Sequence, residues 1–472
     1  MALCQSALCP IPVAAVGPSE APLISKKFNF TVHFSISGCS LSSRQFSSKD
    51  LQQAFGERNG RRKARGRNSG LVTPRAQFAV GSGVGQRPYT ALMIVPTGTG
   101  ASIGGFAGDA LPVARAMASV ADCVITHPNV LNGAMLYWAI PNALYVEGYA
   151  LDQFAKGSWG LQPVHQNRIG LVLDAGIEEE LKLRHLQVAD AACATLGLPM
   201  FEYTITDSPL QVEKWIDEES GASTGRLGRP DSLMRAVHQL VNRCGVDAVA
   251  VVARFPDDSC EDLVDYRQGQ GVDVLSGVEA IISHMVVKEF RIPCAHAPAL
   301  ALLPFDHTIS PRSAAEEIGF TFLPCVLAGL SRAPQYVSKV EQWQQQTKSG
   351  ILWAPDVDCV VVPVNACGGD GTLAFARRTG RKPLIIAVEE NETVLQDTPE
   401  KVGIDAVRVA NYWEALGVMA AHKAGVNPRA LRRDGVAHLR KSHNFSQVSL
   451  DNSNRSARSF EPSFSILVPT SV

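Results

Sequence analysis

The sequence lacks any run of the roughly 18–20 uninterrupted apolar residues that a membrane-spanning helix needs. Apolar stretches such as LPCVLAGL, which begins at Leu323, are soon interrupted by glycine, proline or polar residues. Hydrophobic residues make up 46% of the chain and charged residues 19%, which is typical of a globular protein and not of a disordered one. We therefore predict a soluble protein with no membrane partner.

Paired cysteines are missing as well. None of the 11 cysteines belongs to a CxxC motif, and no cysteine–histidine cluster has the spacing of a zinc site. Most cysteines after residue 76 stand among apolar neighbours, which predicts small buried core residues. The sequence therefore predicts no disulfide framework, and it leaves the metal requirement open.

Acidic residues are scarce at the start of the chain. Residues 1–75 hold eleven of the 44 lysines and arginines but only three of the 45 acidic residues. A serine-rich, basic, acid-poor segment without a long apolar core is typical of an organelle transit peptide. We predict a plastid transit peptide over 1–76 and a location in the chloroplast stroma. The run RRKARGR is also compatible with a nucleic-acid patch, but nothing downstream extends it, so we predict no nucleic-acid partner.

Short β-branched runs alternate with helical patterns from about residue 90 onward. This alternation predicts an α/β fold with a mainly parallel, doubly wound sheet. Two polar stretches, at 217–232 and 340–350, are expected to be exposed connectors. We predict two α/β lobes, 77–230 and 231–426, followed by a disordered tail at 427–472.

A first glycine-rich turn follows the first predicted strand, in the stretch MIVPTGTGASIGGFAGDALP. Glycines between a strand and a helix allow backbone N–H groups to approach an anion. The ligand-binding residues predicted here are Thr97, Gly98, Thr99, Gly100, Ser102 and Gly104. The alternative is a tight connection without a ligand, in which Asp109 caps the next helix.

A second glycine-rich turn lies in VVVPVNACGGDGTLAFARR. Its GGDGT string resembles the phosphate-binding motif of the NAD kinase and diacylglycerol kinase superfamily. The resemblance implies that Asp370 serves the phosphoryl acceptor or a metal, and that Gly368, Gly369, Gly371 and Thr372 surround a phosphate. In those kinases the motif lies early in the chain, whereas here it lies late. Mg²⁺ with a nucleotide or a phosphorylated metabolite is the candidate cofactor, and the alternative is that Asp370 only caps a helix.

Polar residues also follow several of the other predicted strands. Ligands of open parallel sheets bind beyond the carboxyl ends of the strands, which makes these residues candidates. We predict His127, His296 and Asp370 as catalytic residues that carry protons or hold a metal. Further predicted ligand-binding residues are Asn129, Asn132, Asp174 and Asn365. His284 is predicted to be a packed core histidine, and Cys367 could act as a nucleophile only with a lowered pKa.

Three stretches together resemble an uncharacterised family that cyanobacteria and plant plastids share. They are PTGTGASIGGFAGDALPVARAMA, THPNVLNGAMLYW and NACGGDGTLAFARR. The resemblance implies a plastid protein and transfers no activity. From the residues we predict a small-molecule substrate and a transferase, with a ligand sensor or assembly factor as the alternative. A dehydrogenase fits less well, because the expected acid, Asp122, precedes its strand. The sequence leaves the oligomeric state open.

Overall fold

The computed structural model describes residues 87–106, 108–199, 202–258, 263–318, 322–339, 350–433, 435–436 and 438. These residues fall in one compact unit, which begins at Arg87. The predicted transit peptide, most of the second connector and most of the predicted tail lie outside the described residues. None of the described helices is both long and apolar enough to cross a membrane.

Fourteen strands lie in the described residues. They are β1 (Thr90–Met93), β2 (Cys123–Thr126), β3 (Ala143–Tyr145), β4 (Trp159–Gln162), β5 (Ile169–Leu173), β6 (Glu202–Ile205), β7 (Val212–Ile216), β8 (Ser223–Leu227), β9 (Ala248–Arg254), β10 (Cys294–Ala299), β11 (Gln335–Ser338), β12 (Val357–Pro363), β13 (Leu384–Val388) and β14 (Val407–Val409).

Helices separate most of the strands. They are α1 (Leu111–Val120), α2 (Pro128–Tyr137), α3 (Gly148–Ala155), α4 (Glu179–Leu196), α5 (Pro230–Gln239), α6 (Val264–Arg267), α7 (Ser276–Phe290), α8 (Pro311–Ile318), α9 (Leu323–Arg332), α10 (Asp370–Ala376), α11 (Pro399–Val402) and α12 (Tyr412–Lys423). A π-helical turn (Leu240–Cys244) extends α5, and 3₁₀ turns lie at Ala354–Asp356 and Pro428–Leu431.

The larger sheet has six strands in the order β14-β13-β12-β1-β2-β3, and all of its pairs are parallel. Successive strand residues point to opposite faces. Accordingly Met93 and Val361 pack in one core with α1, α2 and α12, whereas Leu92 and Val360 pack in another with α3, α7 and α10. Both faces of the larger sheet are therefore covered by helices, which explains why the sequence of β12 is almost continuously apolar.

The smaller parallel sheet has four strands in the order β10-β9-β5-β6. It is formed by chain that runs between β3 and β12, so the larger sheet is completed only after this insertion. Two antiparallel pairs, β7 with β8 and β4 with β11, accompany the sheets.

These observations confirm the predicted mainly parallel, doubly wound α/β fold. Strands from both predicted lobes meet in each of the two larger sheets, and the division at residue 230 stays a prediction. The segment 217–232 is not only a loop, because it contains β8. Gly225 lies there since a Cβ would come within 2.2 Å of the Glu213 carbonyl oxygen on β7; the glycine serves close packing within the hairpin.

Candidate functional site

The two glycine-rich turns leave the sheet at neighbouring strands. From β1 the chain continues through α1 to β2 on one side, and from β12 it continues through α10 to β13 on the other. Met93 pairs with Val361 in this parallel register, and neighbouring strands lie about 5 Å apart. Both turns therefore begin at one edge of the sheet, at its topological switch point, where open α/β folds bind ligands.

The first turn is held in a left-handed backbone conformation at alternate residues. Gly98 has a φ of 74° and Gly100 a φ of 58°, a region that side chains disfavour. The backbone N–H groups of Thr97, Gly98, Gly100 and Ala101 have no hydrogen-bond partner among the described residues. Successive N–H groups in such a turn can form a concave anion site.

Protein surrounds the far side of this turn. A Cβ on Gly98 would lie 3.2 Å from the Cβ of Ser223, and one on Gly100 would lie 2.9 Å from a Val272 methyl. The Thr99 hydroxyl donates to the Pro96 carbonyl, and the Ser102 N–H donates to the Glu392 carbonyl. The turn is therefore fixed by its neighbours, and the hydroxyls of Thr99 and Ser102 already have protein partners.

The end of the first turn is tied to a half-buried ion pair. The Gly104 N–H donates to the Asp109 carboxylate, which also bonds Arg312, and the Gly104 carbonyl accepts from the Asn129 side chain at 2.9 Å. Burial raises the pKa of Asp109, although Arg312 opposes that rise. The helix cap of α1 is Ala110 without a side-chain bond, so Asp109 holds the turn and does not cap the helix.

The second turn is braced by the loop that follows β13. The Asn365 side chain donates to the Thr393 carbonyl and accepts from the Thr393 N–H, and the Cys367 N–H donates to the Asp397 carbonyl. Gly368 permits this contact, because a Cβ there would lie 2.2 Å from an Asp397 carboxylate oxygen. Burial raises the pKa of Cys367 to about 12, which opposes a nucleophilic role.

The start of α10 faces a charged row on α3. Asp370 is the first residue of the helix, after Gly369 as its cap, and its carboxylate bonds Lys156 at 2.6 Å. The N–H groups of Gly368 and Asp370 have no partner within the described part of the chain. Gly371 lies against Asp152, whose carboxylate oxygen is 2.9 Å from the position of a glycine Cβ; Thr372 is buried behind them.

The same row begins with a carboxylate–histidine pair. Glu147 follows β3, is 3% exposed and caps α3 by accepting from the N–H groups of Tyr149 and Ala150. Its other carboxylate oxygen lies 2.8 Å from Nδ1 of His284, whose side chain is 41% exposed. The prediction of a packed core histidine at 284 is therefore wrong. Burial lowers the pKa of His284, but the bond to Glu147 outweighs burial and the pKa is raised.

His127 lies at the end of β2, inside the protein. Its Nε2 accepts a hydrogen bond from the Val95 N–H at 3.2 Å, so the ring fixes the chain just after β1. Burial lowers the pKa of His127 to about 4, which keeps the ring neutral at physiological pH. Asn132 is also buried, where it accepts from the Tyr145 hydroxyl at 2.7 Å.

His296 belongs to the smaller sheet, where it lies within β10. Its Nδ1 is 2.6 Å from the Ser283 hydroxyl, and its Nε2 is 3.5 Å from a Glu279 oxygen. Serine, histidine and glutamate in this order resemble a nucleophile, a base and an orienting acid. Ser283 is only 2% exposed, however, so no substrate reaches its hydroxyl in this conformation.

Asp174 lies at the switch point of the smaller sheet, between β5 and β9. Its carboxylate accepts from the N–H groups of Gly176, Leu210 and Arg254. The Arg254 side chain bonds Glu178 and Asp257. A cavity of about 340 Å³ opens here, but these charged groups on its wall already have protein partners.

Metal-binding groups are sparse in the described ranges. No group of three or more histidine, cysteine, aspartate or glutamate side chains there could hold a metal ion. Mg²⁺ beside a phosphate often takes only one or two protein carboxylates, and Asp152 and Asp370 are such a pair. The ammonium group of Lys156 already neutralises Asp370. The two carboxylates therefore fit this ammonium group better than a magnesium ion.

The doubly wound sheet, with two glycine-rich turns at its switch point, defines an α/β protein of the type in which ligands bind beyond the strand ends. The chain belongs to the family described as "Protein of unknown function (DUF3326)", which matches residues 90–432. This family match confirms the predicted resemblance.

An uncharacterised lipoprotein of the cyanobacterium Synechococcus sp. is similar to this chain. The two are 56% identical over 346 residues, which cover 73% of this chain and 94% of the relative. No solved structure matches the chain. The resemblance of GGDGT to the kinase superfamily stays a prediction.

Sequence reasoning missed the roles of Asp152, Lys156 and His284. Asp152 lies in α3, and Lys156 is the residue that caps its end, four positions later. Gly148 precedes Asp152 by four positions. The spacing Gly148, Asp152, Lys156 was a readable signal of a polar helix face. Its partners on α7 and α10 are more than a hundred residues away in the chain, and no local pattern points to them.

Proposed function

We propose that the protein binds a phosphorylated or carboxylated small molecule at the switch point of the larger sheet and transfers a group from it. One observation carries this proposal. Four N–H groups of the first turn lack a partner in the described part of the chain, and they lie at the sheet edge where the second turn also begins.

Unpaired N–H groups in a half-buried turn favour an anionic ligand. Backbone N–H groups are strong donors, and those without a protein partner can bond an acceptor that reaches the turn. A phosphate or carboxylate offers several acceptor oxygens and a negative charge to the partial positive charge of the N–H groups. The second turn adds the free N–H groups of Gly368 and Asp370.

Group transfer is favoured over simple binding by the ionisable groups beside the second turn. Lys156 can neutralise charge on a leaving or transferred group, and Asp152 and Asp370 can accept protons. Burial, followed by the charge of Asp370, raises the pKa of Asp152, which brings the pKa of this carboxyl group closer to neutral pH.

The acid-poor start of the sequence supports a location in the chloroplast stroma.

A dinucleotide is the second candidate ligand. The order β3-β2-β1-β12-β13-β14 is that of the folds that bind NAD across the switch point. Those folds place an acid after the second strand to bind a ribose. Here β2 ends at Thr126 and is followed by the buried His127, and Asp122 instead bonds Lys423 and the Tyr89 N–H. We therefore rank a dinucleotide below a single phosphorylated or carboxylated metabolite.

A thermal-shift screen of the full chain tests the proposal. The ligands are inorganic phosphate, pyrophosphate, sugar phosphates, nucleotides, small carboxylates and NAD(P), each with and without Mg²⁺. A ligand at a hundredfold excess over its dissociation constant stabilises the fold by about 2.7 kcal/mol. Thr97→Asp adds a negative charge beside the free N–H groups and is expected to abolish the shift.

Thr97→Asn is the matched control, because it has nearly the same volume as Thr97→Asp without the charge. A shift that Thr97→Asn retains and Thr97→Asp loses supports the anion site. If the wild-type protein responds to none of the anions, the proposal fails and the assembly-factor alternative takes its place. If NAD(P) alone stabilises the protein, the dinucleotide becomes the leading candidate.

A further inference from the structure

The half-buried face of α3 that includes Gly148 and Asp152 carries a row of three contacts, which leads from His284 to the second turn. Gly148 lies against the His284 ring, with its Cβ position 3.3 Å from Cε1. Asp152 lies against Gly371, and Lys156 bonds Asp370. Because four residues of helix rise about 6 Å, His284 lies about one helical turn from the start of α10.

The hydrogen bonds of His284 assign its proton. Nδ1 lies near the Glu147 carboxylate and the Ala280 carbonyl oxygen, and both are acceptors, so Nδ1 is the nitrogen that carries hydrogen. The other nitrogen, Nε2, then holds a lone pair in the neutral ring. It has no hydrogen-bond partner among the described residues, and the side chain is 41% exposed.

We propose that Glu147 and His284 are the proton-transfer pair of this site, and that Nε2 of His284 takes a proton from the hydroxyl group or water that attacks the bound anion. The inference rests on the proposed anion site. In this step the O–H bond breaks and an N–H bond forms on Nε2. The electron pair left on the oxygen forms a bond to the group that is transferred, and the bond from that group to the leaving oxygen of the ligand breaks, with its electron pair departing on that oxygen. The Glu147 carboxylate stabilises the resulting imidazolium, as an orienting acid does for a base histidine.

The two histidines predicted as catalytic are less suited to this step. His127 uses Nε2 to hold the Val95 N–H and is buried. His296 uses both nitrogens within the protein. His284 combines a fixed tautomer, a partner carboxylate and an open nitrogen. The other groups that face it are Asp152 on α3, whose charge acts on His284, and the Tyr149 ring at 6.3 Å.

Histidine-selective NMR titration of the full chain tests the pair, with inorganic phosphate and pyrophosphate as probes. The His284 signal is assigned as the one that disappears in His284→Gln. We expect a bound anion to raise the pKa of His284, because negative charge nearby favours the imidazolium. We expect Glu147→Gln to lower that pKa by about one unit or more, while its side-chain oxygen still caps α3.

Thermal shift in the same samples separates this inference from the proposed function. At a pH above the His284 pKa, where the ring is neutral, the expected result is that both anions stabilise wild type, Glu147→Gln and His284→Gln within about twofold of one affinity. Thr97→Asp is expected to lose the shift of the His284 pKa. If the anions bind but the His284 titration does not move, the pair is structural and the anion site stands. If neither anion binds wild type, the anion site fails and this inference fails with it. Urea unfolding of Glu147→Gln and His284→Gln checks that both variants are folded.

Discussion

The protein has two parallel sheets, and each has a switch point. The two switch points differ in how many of their polar groups have hydrogen-bond partners. At the smaller sheet, one carboxylate takes three N–H groups and the neighbouring arginine is bound by two acids. At the larger sheet, N–H groups of both turns and one histidine nitrogen lack partners in the described residues. The cavity of about 340 Å³ adjoins the switch point of the smaller sheet, whereas the polar groups without partners adjoin the switch point of the larger sheet.

This difference teaches that topology alone does not identify a site. Parallel sheets of this kind bring strand ends and loops together wherever the direction of winding reverses. Buried polar groups in proteins nearly always have hydrogen-bond partners. A switch point whose polar groups are all paired within the protein has a structural role, whereas one with unpaired polar groups is a candidate ligand site. The following predictions test that distinction.

The largest effect is expected at the smaller sheet. Asp174→Ala leaves the N–H groups of Gly176, Leu210 and Arg254 without an acceptor, and we expect it to lower the free energy of unfolding by at least about 3 kcal/mol. Urea denaturation measures the loss. Asp174→Asn keeps one acceptor oxygen and should lose less. A change below about 1 kcal/mol in Asp174→Ala would refute the role of a brace.

The next effect is expected in the first turn. Gly100→Ala places a Cβ 2.9 Å from Val272 in a left-handed residue, and the strain and the overpacking together should cost about 2–4 kcal/mol. Gly197→Ala is the matched control, because Gly197 has a φ of 65° and no atom lies within 4 Å of its Cβ position. It should cost only the conformational part, about 1–2 kcal/mol. Equal losses in urea denaturation would mean that the contacts around Gly100 are loose.

A pH-dependent effect is expected from Asp273, next to the loop that supports the first turn. Burial, with the charge of Glu279 second, raises the pKa of Asp273 to about 7. The folded state therefore holds a proton that the unfolded state has lost over the range from its ordinary carboxyl pKa up to about 7. Stability then falls as the pH rises through this window, by at most about 1.4 kcal/mol per pH unit.

Asp273→Asn should remove that slope between pH 5 and pH 7 in unfolding experiments. Asp122→Asn is the control: bonds to Lys423 and to the Tyr89 N–H outweigh burial and lower the pKa of Asp122, so this group titrates below the window. An unchanged slope in Asp273→Asn would show that other groups control the pH dependence.

The smallest effect is expected at Asp370. Its side chain is 65% exposed, and an exposed ion pair contributes at most about 1 kcal/mol. Asp370→Asn should therefore leave the unfolding midpoint nearly unchanged. If it also leaves the response to phosphate and nucleotides unchanged, with and without Mg²⁺, the predicted role of Asp370 in the site is refuted.

The sequence predicted the alternation of strands and helices and the two glycine-rich turns, because these depend on local patterns. The sequence could not show that β1 pairs with β12, because the apolar pattern of a strand does not identify the strand with which it pairs. It misjudged His284 because IISHMVV is apolar on both sides, and Glu147 lies 137 positions earlier. It missed β8 because glycines required for close packing look like loop residues.

The pairing of β1 with β12 has a consequence for how the chain reaches its fold. Met93 can pair with Val361 only after Val361 has been synthesised, 268 positions later in the chain. At about 5–20 residues per second, this delay lasts roughly 13–54 seconds. The segment between them contains every strand of the smaller sheet and can form it first. The larger sheet is therefore completed late in synthesis, and its long-range pairing makes slow folding the expected outcome.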